Sequence, residues 1–168
     1  MSSTSLNATL PRALLQELRT DHAGETGAVM IYRGVLAVAR DPALRAFALH
    51  HLETERRHLQ LIEDVVPAAW RSRLLPLWRV SGWLTGALPA CFGPRAVYAT
   101  IEAVETFVDR HYAAQTALID QLVDALVNQG VAQSPAASEQ LQTLRALIEQ
   151  CRLDEVAHRD DAGGRWHG

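Results

Sequence analysis

Four stretches of this sequence place apolar residues at alternating steps of three and four, and each of these seams carries a glutamate in its interior. The first runs Leu18, His22, Glu25, Val29, Tyr32, Leu36. The second runs Leu44, Ala48, His51, Glu55, His58, Ile62, Val65. The third runs Tyr98, Ile101, Glu105, Val108, Tyr112, Gln115, Ile119, Leu122, Leu126, and the fourth Leu141, Leu144, Ile148, Cys151, Glu155, His158. Such stepping keeps every residue of a seam on one helix face, the face that a bundle buries. Strand patterning is nearly absent, so the expected fold class is all-α, with four long helices around one core.

The periodicity places those helices at residues 12–40, 42–66, 94–128 and 136–161. Asp41-Pro42 reads as an N-cap followed by a proline at the first helical position. Asn128-Gln-Gly130 reads as the close of the third helix, Gln133 to Ser138 as a polar loop, and Gly163-Gly164 as the end of the fourth helix. Between the second and third helices, Val65 to Ile101 is of another kind. It holds no Asp or Glu, it carries Arg71, Arg73, Arg79 and Arg95 with Trp70, Trp78 and Trp83, and Pro76, Gly82, Gly86, Pro89, Gly93 and Pro94 interrupt it. Two readings fit this stretch. It caps the bundle end, or it is an interfacial membrane element with tryptophans at headgroup level and arginines toward anionic lipid. The second is preferred, with residues 70–93 as the membrane-facing surface.

Four carboxylates aimed into one core repel one another, and each is costly to bury unless paired or metal-bound. Two divalent cations neutralise them, and two neutral imidazoles complete a ligand set. A Glu-x-x-His pair rises ~4.5 Å along a helix, so both side chains reach one ion. Glu25 and Glu105 are therefore read as single ligands, and Glu55/His58 and Glu155/His158 as pairs. One Glu from each of two helices plus Glu-x-x-His from the other two is a known bundle arrangement for di-iron and di-manganese centres. Carboxylate-rich sites with histidine suit iron or manganese better than thiolate-preferring metals.

Other residues carry quieter readings. Glu53, Glu63, Glu102, Glu149 and His50 lie off the seams and are expected in solvent. His51 reads either as a packing histidine or as a functional one. His22 forms an inverted H-x-x-E with Glu25 that competes as a ligand pair. Tyr32 and Tyr112 are expected in the core near the metals, and Cys151 in packing. Asp154, just before Glu155, is expected to orient His58, as the matching residue does in related di-iron bundles. Cys91 and Cys151 are too few for a disulfide framework or a cysteine zinc site. The net charge of −3 gives no reason to expect a nucleic-acid partner. The N-terminus lacks an apolar signal core, and no apolar run reaches the ~18 residues of a membrane span. The expectation is one domain over 1–168, neither secreted nor membrane-spanning.

Asp21-His-Ala-Gly-Glu25-Thr-Gly-Ala28, Glu55-Arg-Arg-His58-Leu59, Val104-Glu105, His111-Tyr112 and Asp154-Glu155-Val-Ala-His158 resemble the motifs of the demethoxyubiquinone hydroxylase family. Pro76-Leu-Trp-Arg-Val-Ser-Gly82, continuing to Gly86-Ala87, is similar to that family's inter-helix segment. The resemblance implies a ferritin-like bundle and a di-iron monooxygenase that uses O₂ to hydroxylate the ring of a polyprenylated benzoquinol in ubiquinone biosynthesis. It implies two iron ions on Glu25, Glu55, His58, Glu105, Glu155 and His158, with Glu55 and Glu155 bridging. For His111 and Tyr112 it implies a part in electron or proton transfer, and for the reductant NADH. It also implies peripheral attachment to the cytoplasmic face of a bacterial inner membrane, or to the matrix side of the mitochondrial one. A lipid-binding accessory protein, as used by the family's eukaryotic members, is a further partner implied; a homo-oligomer is a separate expectation. The family continues past its last Glu-x-x-His into a further apolar segment, whereas this sequence stops at Gly168. That difference bears on membrane docking and oligomerisation, not on the ligands. Two other classes compete: a ferritin-like ferroxidase or peroxidase (a manganese catalase among them), and a non-enzymatic lipid-binding helical module without stoichiometric metal.

Overall fold

A computed structural model describes residues 10–128 and 135–168. Among them are α1 (Arg12–Val38), α2 (Pro42–Val65), a single 3-10 turn at Ala68–Trp70, α3 (Leu75–Ala90), α4 (Pro94–Asn128) and α5 (Pro135–His167), and no strand. This is the expected all-α bundle, with α3 as an additional helix. The short link between α1 and α2 makes them antiparallel neighbours. α4 packs along α5, and α3 lies along α1 and touches α4.

Each seam faces inward. The core divides into two apolar clusters. One gathers Val29, Tyr32, Val35, Leu44, Phe47, Ala48, Val97, Tyr98 and Ile101. The other gathers Leu14, Leu18, Ile62, Tyr112, Ile119, Leu141, Leu144, Ile148 and Cys151. Between them, in sequence on every seam, sit the buried residues Glu25, Glu55, His58, Glu105, Glu155 and His158. The bundle is thus apolar at both ends and polar across its waist.

Local chemistry sets the helix ends. Asp41 caps α2, its Oδ1 accepting from the Leu44 backbone N–H at 2.7 Å, with proline at the first position. Such a cap contributes ~1 kcal/mol. α1 stops at Val38 rather than 40, because Ala39 and Asp41 turn extended ahead of Pro42. At α5 the expected start at 136 holds to within a residue, but the overlapping loop reading and the expected end do not. Pro135 to Ser138 are helical, not loop, since proline's fixed φ suits a first turn. Gln133 and the Gly130 expected to close α4 lie outside the described residues. Gly163-Gly164 do not end α5, which continues to His167. Two helical glycines cost ~1 kcal/mol each. Packing offsets this: Ala162 is fully buried in the first core cluster, Trp166 packs on that cluster, and the Arg95 guanidinium lies 5.5 Å over the Trp166 ring.

α3 is held by glycine. A Cβ at Gly82, Gly86 or Gly34 would be driven into the backbone oxygen of Gly27, Ile31 or Trp83 respectively. α1 and α3 therefore meet backbone to backbone, which only residues without side chains permit. The opposite face of α3 exposes Leu77 (61%), Val80 (59%) and Leu88 (56%), with Leu84 beside them. None of the described helices is long and apolar enough to cross a membrane.

Candidate metal centre

The four central glutamates and two histidines come from four different helices and converge on one buried space. Ligand-type atoms of Glu25, Glu55, His58 and Glu155 lie within 4.8 Å of one another, and so do those of Glu55, Glu105, Glu155 and His158. Glu55 and Glu155 belong to both groups, the arrangement expected of bridging carboxylates. His58 Nδ1 lies 2.9 Å from Glu155 Oε1. His158 Nδ1 lies 3.0 Å from Glu55 Oε1 and 3.2 Å from Glu155 Oε2.

These atoms surround a shared space more than they bond one another. Glu25 Oε2, both carboxylate oxygens of Glu55, Glu155 Oε2 and His158 Nδ1 are buried without a hydrogen-bond partner. Orphaned buried polar atoms are rare and costly in folded proteins. Two divalent cations would satisfy this set, so the residues present fit a two-metal centre.

The electrostatics point the same way. Burial pushes the Glu25 carboxyl well above the ordinary range, and Glu55 and Glu155 push it further. Glu105 is raised in the same manner. Burial also raises Glu55, with Glu155 adding to it. Burial acts to raise Glu155 as well, but the close approach of the His158 and His58 imidazoles outweighs it and holds the group at about 2. Burial would lower both histidines, yet the surrounding carboxylates win, led for each by the closely approaching Glu155. They bring His58 to about 10 and His158 to about 9. Without a cation, protons take its place: burial and mutual repulsion favour the neutral form of the raised carboxyls, and the carboxylates favour the charged imidazoles.

The surrounding residues hold this set in place. Asp154 Oδ2 lies 3.0 Å from His58 Nε2, leaving Nδ1 for the centre, as expected. Tyr112 donates to Glu25 Oε1, and Tyr32 donates to Glu105 Oε1 at 3.3 Å. His51 takes the packing role. Its ring lies edge-on to His158 at 4.3 Å, and its Nε2 lies 3.0 Å from Asp161 Oδ2. His22 turns to Glu63 at 3.3 Å and joins neither metal group, so the inverted H-x-x-E does not form. Glu63 is thereby half-buried rather than free in solvent. His111, at the rim, lies 2.7 Å from Asp21 Oδ1 through Nε2.

Sequence reasoning did not single out Asp21 or Gln115 as site residues. Asp21 is buried, and its second oxygen accepts from Gln115 Nε2 at 2.7 Å. The available signal was its place one turn before Glu25, on the same face. Beside the centre lies a cavity of about 240 Å³ between α1, α3 and α4. Glu25, Glu105 and Glu155 reach it from the core, Trp78, Ser81 and Thr85 come from α3, and Asp21, His111 and Tyr112 form one end.

The fold and this waist define a class: a helical bundle with a carboxylate–histidine centre built for two metal ions. Residues 12–165 match the family described as "Ubiquinone biosynthesis protein COQ7", and the chain belongs to that family. It is 37% identical over 155 residues to the 3-demethoxyubiquinol 3-hydroxylase of Rhodospirillum rubrum, covering 89% of this chain and 64% of the relative. It is 35% identical over 153 residues to the mitochondrial 5-demethoxyubiquinone hydroxylase of Saccharomyces cerevisiae, covering 86% and 63%. It is 32% identical over 146 residues to the mitochondrial NADPH-dependent 3-demethoxyubiquinone 3-hydroxylase of Homo sapiens, covering 85% and 60%. The chain spans under two thirds of the length of these relatives.

Proposed function

We propose that this chain is a di-iron monooxygenase that hydroxylates the ring of a polyprenylated demethoxybenzoquinol, with O₂ as the oxygen source, in ubiquinone biosynthesis. The observation that carries the reading is the cavity. It joins the buried glutamates on one side to α3, whose outer face is apolar and exposed, on the other. At about 240 Å³ it is smaller than the ~300–1,000 Å³ of pockets that enclose a whole drug-sized ligand. It therefore suits a ring head whose polyprenyl tail runs out along α3.

Two irons would sit in the two overlapping groups, with Glu55 and Glu155 shared. When bound, the metal pair supplies the electrons and Lewis acidity that O₂ chemistry requires. The chain's own residues do the rest. Tyr32 and Tyr112 hold the unshared glutamates, and Asp154 fixes the His58 tautomer. Ile31, Trp78, Val104 and Val108 line the cavity with apolar surface and keep water from the ring. His111 and Tyr112 stand between the rim and Glu25, where a proton or electron entering the site would pass.

α3 is read as the membrane-facing part of residues 70–93. Arg73 and Arg79 flank its exposed leucines, and no acidic residue lies between Val65 and Ile101 to repel anionic lipid. Attachment is peripheral, on the cytoplasmic face of a bacterial inner membrane or the matrix face of a mitochondrial one. A reduced nicotinamide is the proposed electron source. The human relative's name specifies NADPH, where the resemblance implied NADH. A lipid-binding accessory protein and a second copy of the chain complete the partners proposed.

An anaerobic single turnover tests the reading. The Fe(II)-loaded protein is mixed with a short-tailed demethoxyubiquinol, ¹⁸O₂ is admitted, and the quinone mass is read. One labelled oxygen atom in the product is the expected result. Unchanged quinone, with bound iron oxidised in air, would move the chain to the ferroxidase class.

A further inference from the structure

Asp21 is a buried acid with both oxygens occupied by α4. His111 donates to Oδ1 and Gln115 to Oδ2, each at 2.7 Å. Its side chain is 0% exposed, and burying a carboxylate on a core face is costly. A staple between α1 and α4 would explain the contact but not its position. Asp21 and His111 also form one end of the cavity, beside Glu25 and Tyr112. With His111 Nε2 engaged by Asp21, Nδ1 is the ring nitrogen left for a ligand, and the imidazole is 22% exposed. The rest of the wall is largely apolar: Gly27, Ala28, Ile31, Val104, Val108. The two-fold likeness of the bundle halves sharpens the point. Counting from the paired glutamates Glu25 and Glu105, the counterparts of Asp21, His111 and Gln115 are Ile101, Ile31 and Val35. Two members of the trio, Asp21 and His111, line the cavity, while Gln115 holds Asp21 from behind, and all three counterparts are apolar.

We propose that this end is a ring-oxygen subsite, in which Asp21 is a positioning residue that holds His111 so that its Nδ1–H donates to a phenolic or quinone oxygen of the ligand. The proposal rests on the quinol reading above and specifies how the ring is oriented there. The hydrogen bond of Asp21 to His111 favours the protonated imidazole, which makes Nδ1 a donor. One ring oxygen held at this end leaves the remainder of the ring over Glu25 and Glu105, with the tail directed toward α3.

The test uses metal-free protein, so it does not depend on turnover. Binding is followed anaerobically by tryptophan fluorescence, since Trp78 lines the cavity. Two probes are compared: a short-tailed methoxybenzoquinol and its analogue with both ring hydroxyls replaced by hydrogen. The wild type is expected to prefer the quinol by about tenfold or more, the worth of a hydrogen bond to a charged group. His111→Phe and Asp21→Asn should lose most of that preference while keeping the apolar analogue's affinity and the helical circular dichroism. His111→Gln, which retains a donor, should recover part of it. A pure staple would weaken both probes alike. Unchanged preference in Asp21→Asn and His111→Phe overturns the subsite, as does a wild type that binds both probes equally. A wild type that binds neither overturns the quinol reading itself, and the subsite with it.

Discussion

The two halves of the bundle, α1 with α2 and α4 with α5, repeat one chemical plan with different surroundings. Glu25 and Tyr32 of α1 recur as Glu105 and Tyr112 of α4, two turns apart in each. Each tyrosine crosses the core to the other half's glutamate. Glu55/His58 of α2 recur as Glu155/His158 of α5. The differences lie one residue away. Asp154 precedes one shared glutamate and reaches His58, whereas Thr54 precedes the other and its hydroxyl accepts from Arg57. The Asp21–His111–Gln115 trio has no polar counterpart, and only α1 carries α3 along its length. The repeated part is what two metals require; the unrepeated part is what distinguishes one side of the site from the other, as a substrate does.

Removing a shared glutamate is the largest test of that division. Glu155→Ala should release both metals, whereas Glu25→Ala should retain one, as read by metal per chain from elemental analysis. Equal losses from the two variants would mean the halves do not share ligands.

The metal-free protein should show the next largest effect, in its pH dependence. His58 and His158 have folded pKa values raised from 6.5 to about 10 and about 9. Their stabilisation is full below pH 6.5 and lost as pH rises through those values. Glu25 and Glu105, also raised, act in the same direction as pH rises above the ordinary carboxylate range. The thermal midpoint of metal-free protein should therefore fall steadily from pH 6.5 to 10. Metal-loaded protein should lack that fall, because binding displaces those protons.

Asp154→Asn should weaken one metal by about 10–100-fold, the usual effect of losing a carboxylate behind a ligand histidine. Thr54→Ala, at the matching place in the other half, should change metal affinity little. Similar effects from both, read by competitive chelation, would erase the asymmetry. On the side that α3 covers, Leu84→Glu should reduce binding to anionic vesicles about tenfold with metal content intact, since an acid that the lipid repels replaces an apolar anchor. Parallel loss of metal would show that α3 supports the centre as well. Gly86→Val should be the mildest for the metal ligands. It forces α3 off α1 and costs about 1–3 kcal/mol, or several degrees in thermal midpoint.

Much of this was legible because helices repeat. Seam residues such as Leu44, Ile101 and Ile148 fall at a period that sequence shows directly, and the interior glutamates stand out against them. The Asp21 contacts were not legible, since their partners lie on α4, far along the chain; its place one turn before Glu25 signals the buried face but not what meets it there. The seat of α3 depends on Gly27, Gly34, Gly82 and Gly86 meeting across helices, whereas a glycine alone reads as an interruption. Gly163-Gly164 misled for the related reason that tertiary packing of Ala162 and Trp166 outweighs local helix propensity.

The central claim is that two metal ions share Glu55 and Glu155 at the waist of the bundle. Anaerobic Fe(II) titration of metal-free protein, with protons released measured alongside, tests it most directly. Two irons bound per chain, with net proton release at neutral pH, is the predicted result. One iron or none in a protein whose helical signal and thermal unfolding are intact would contradict it.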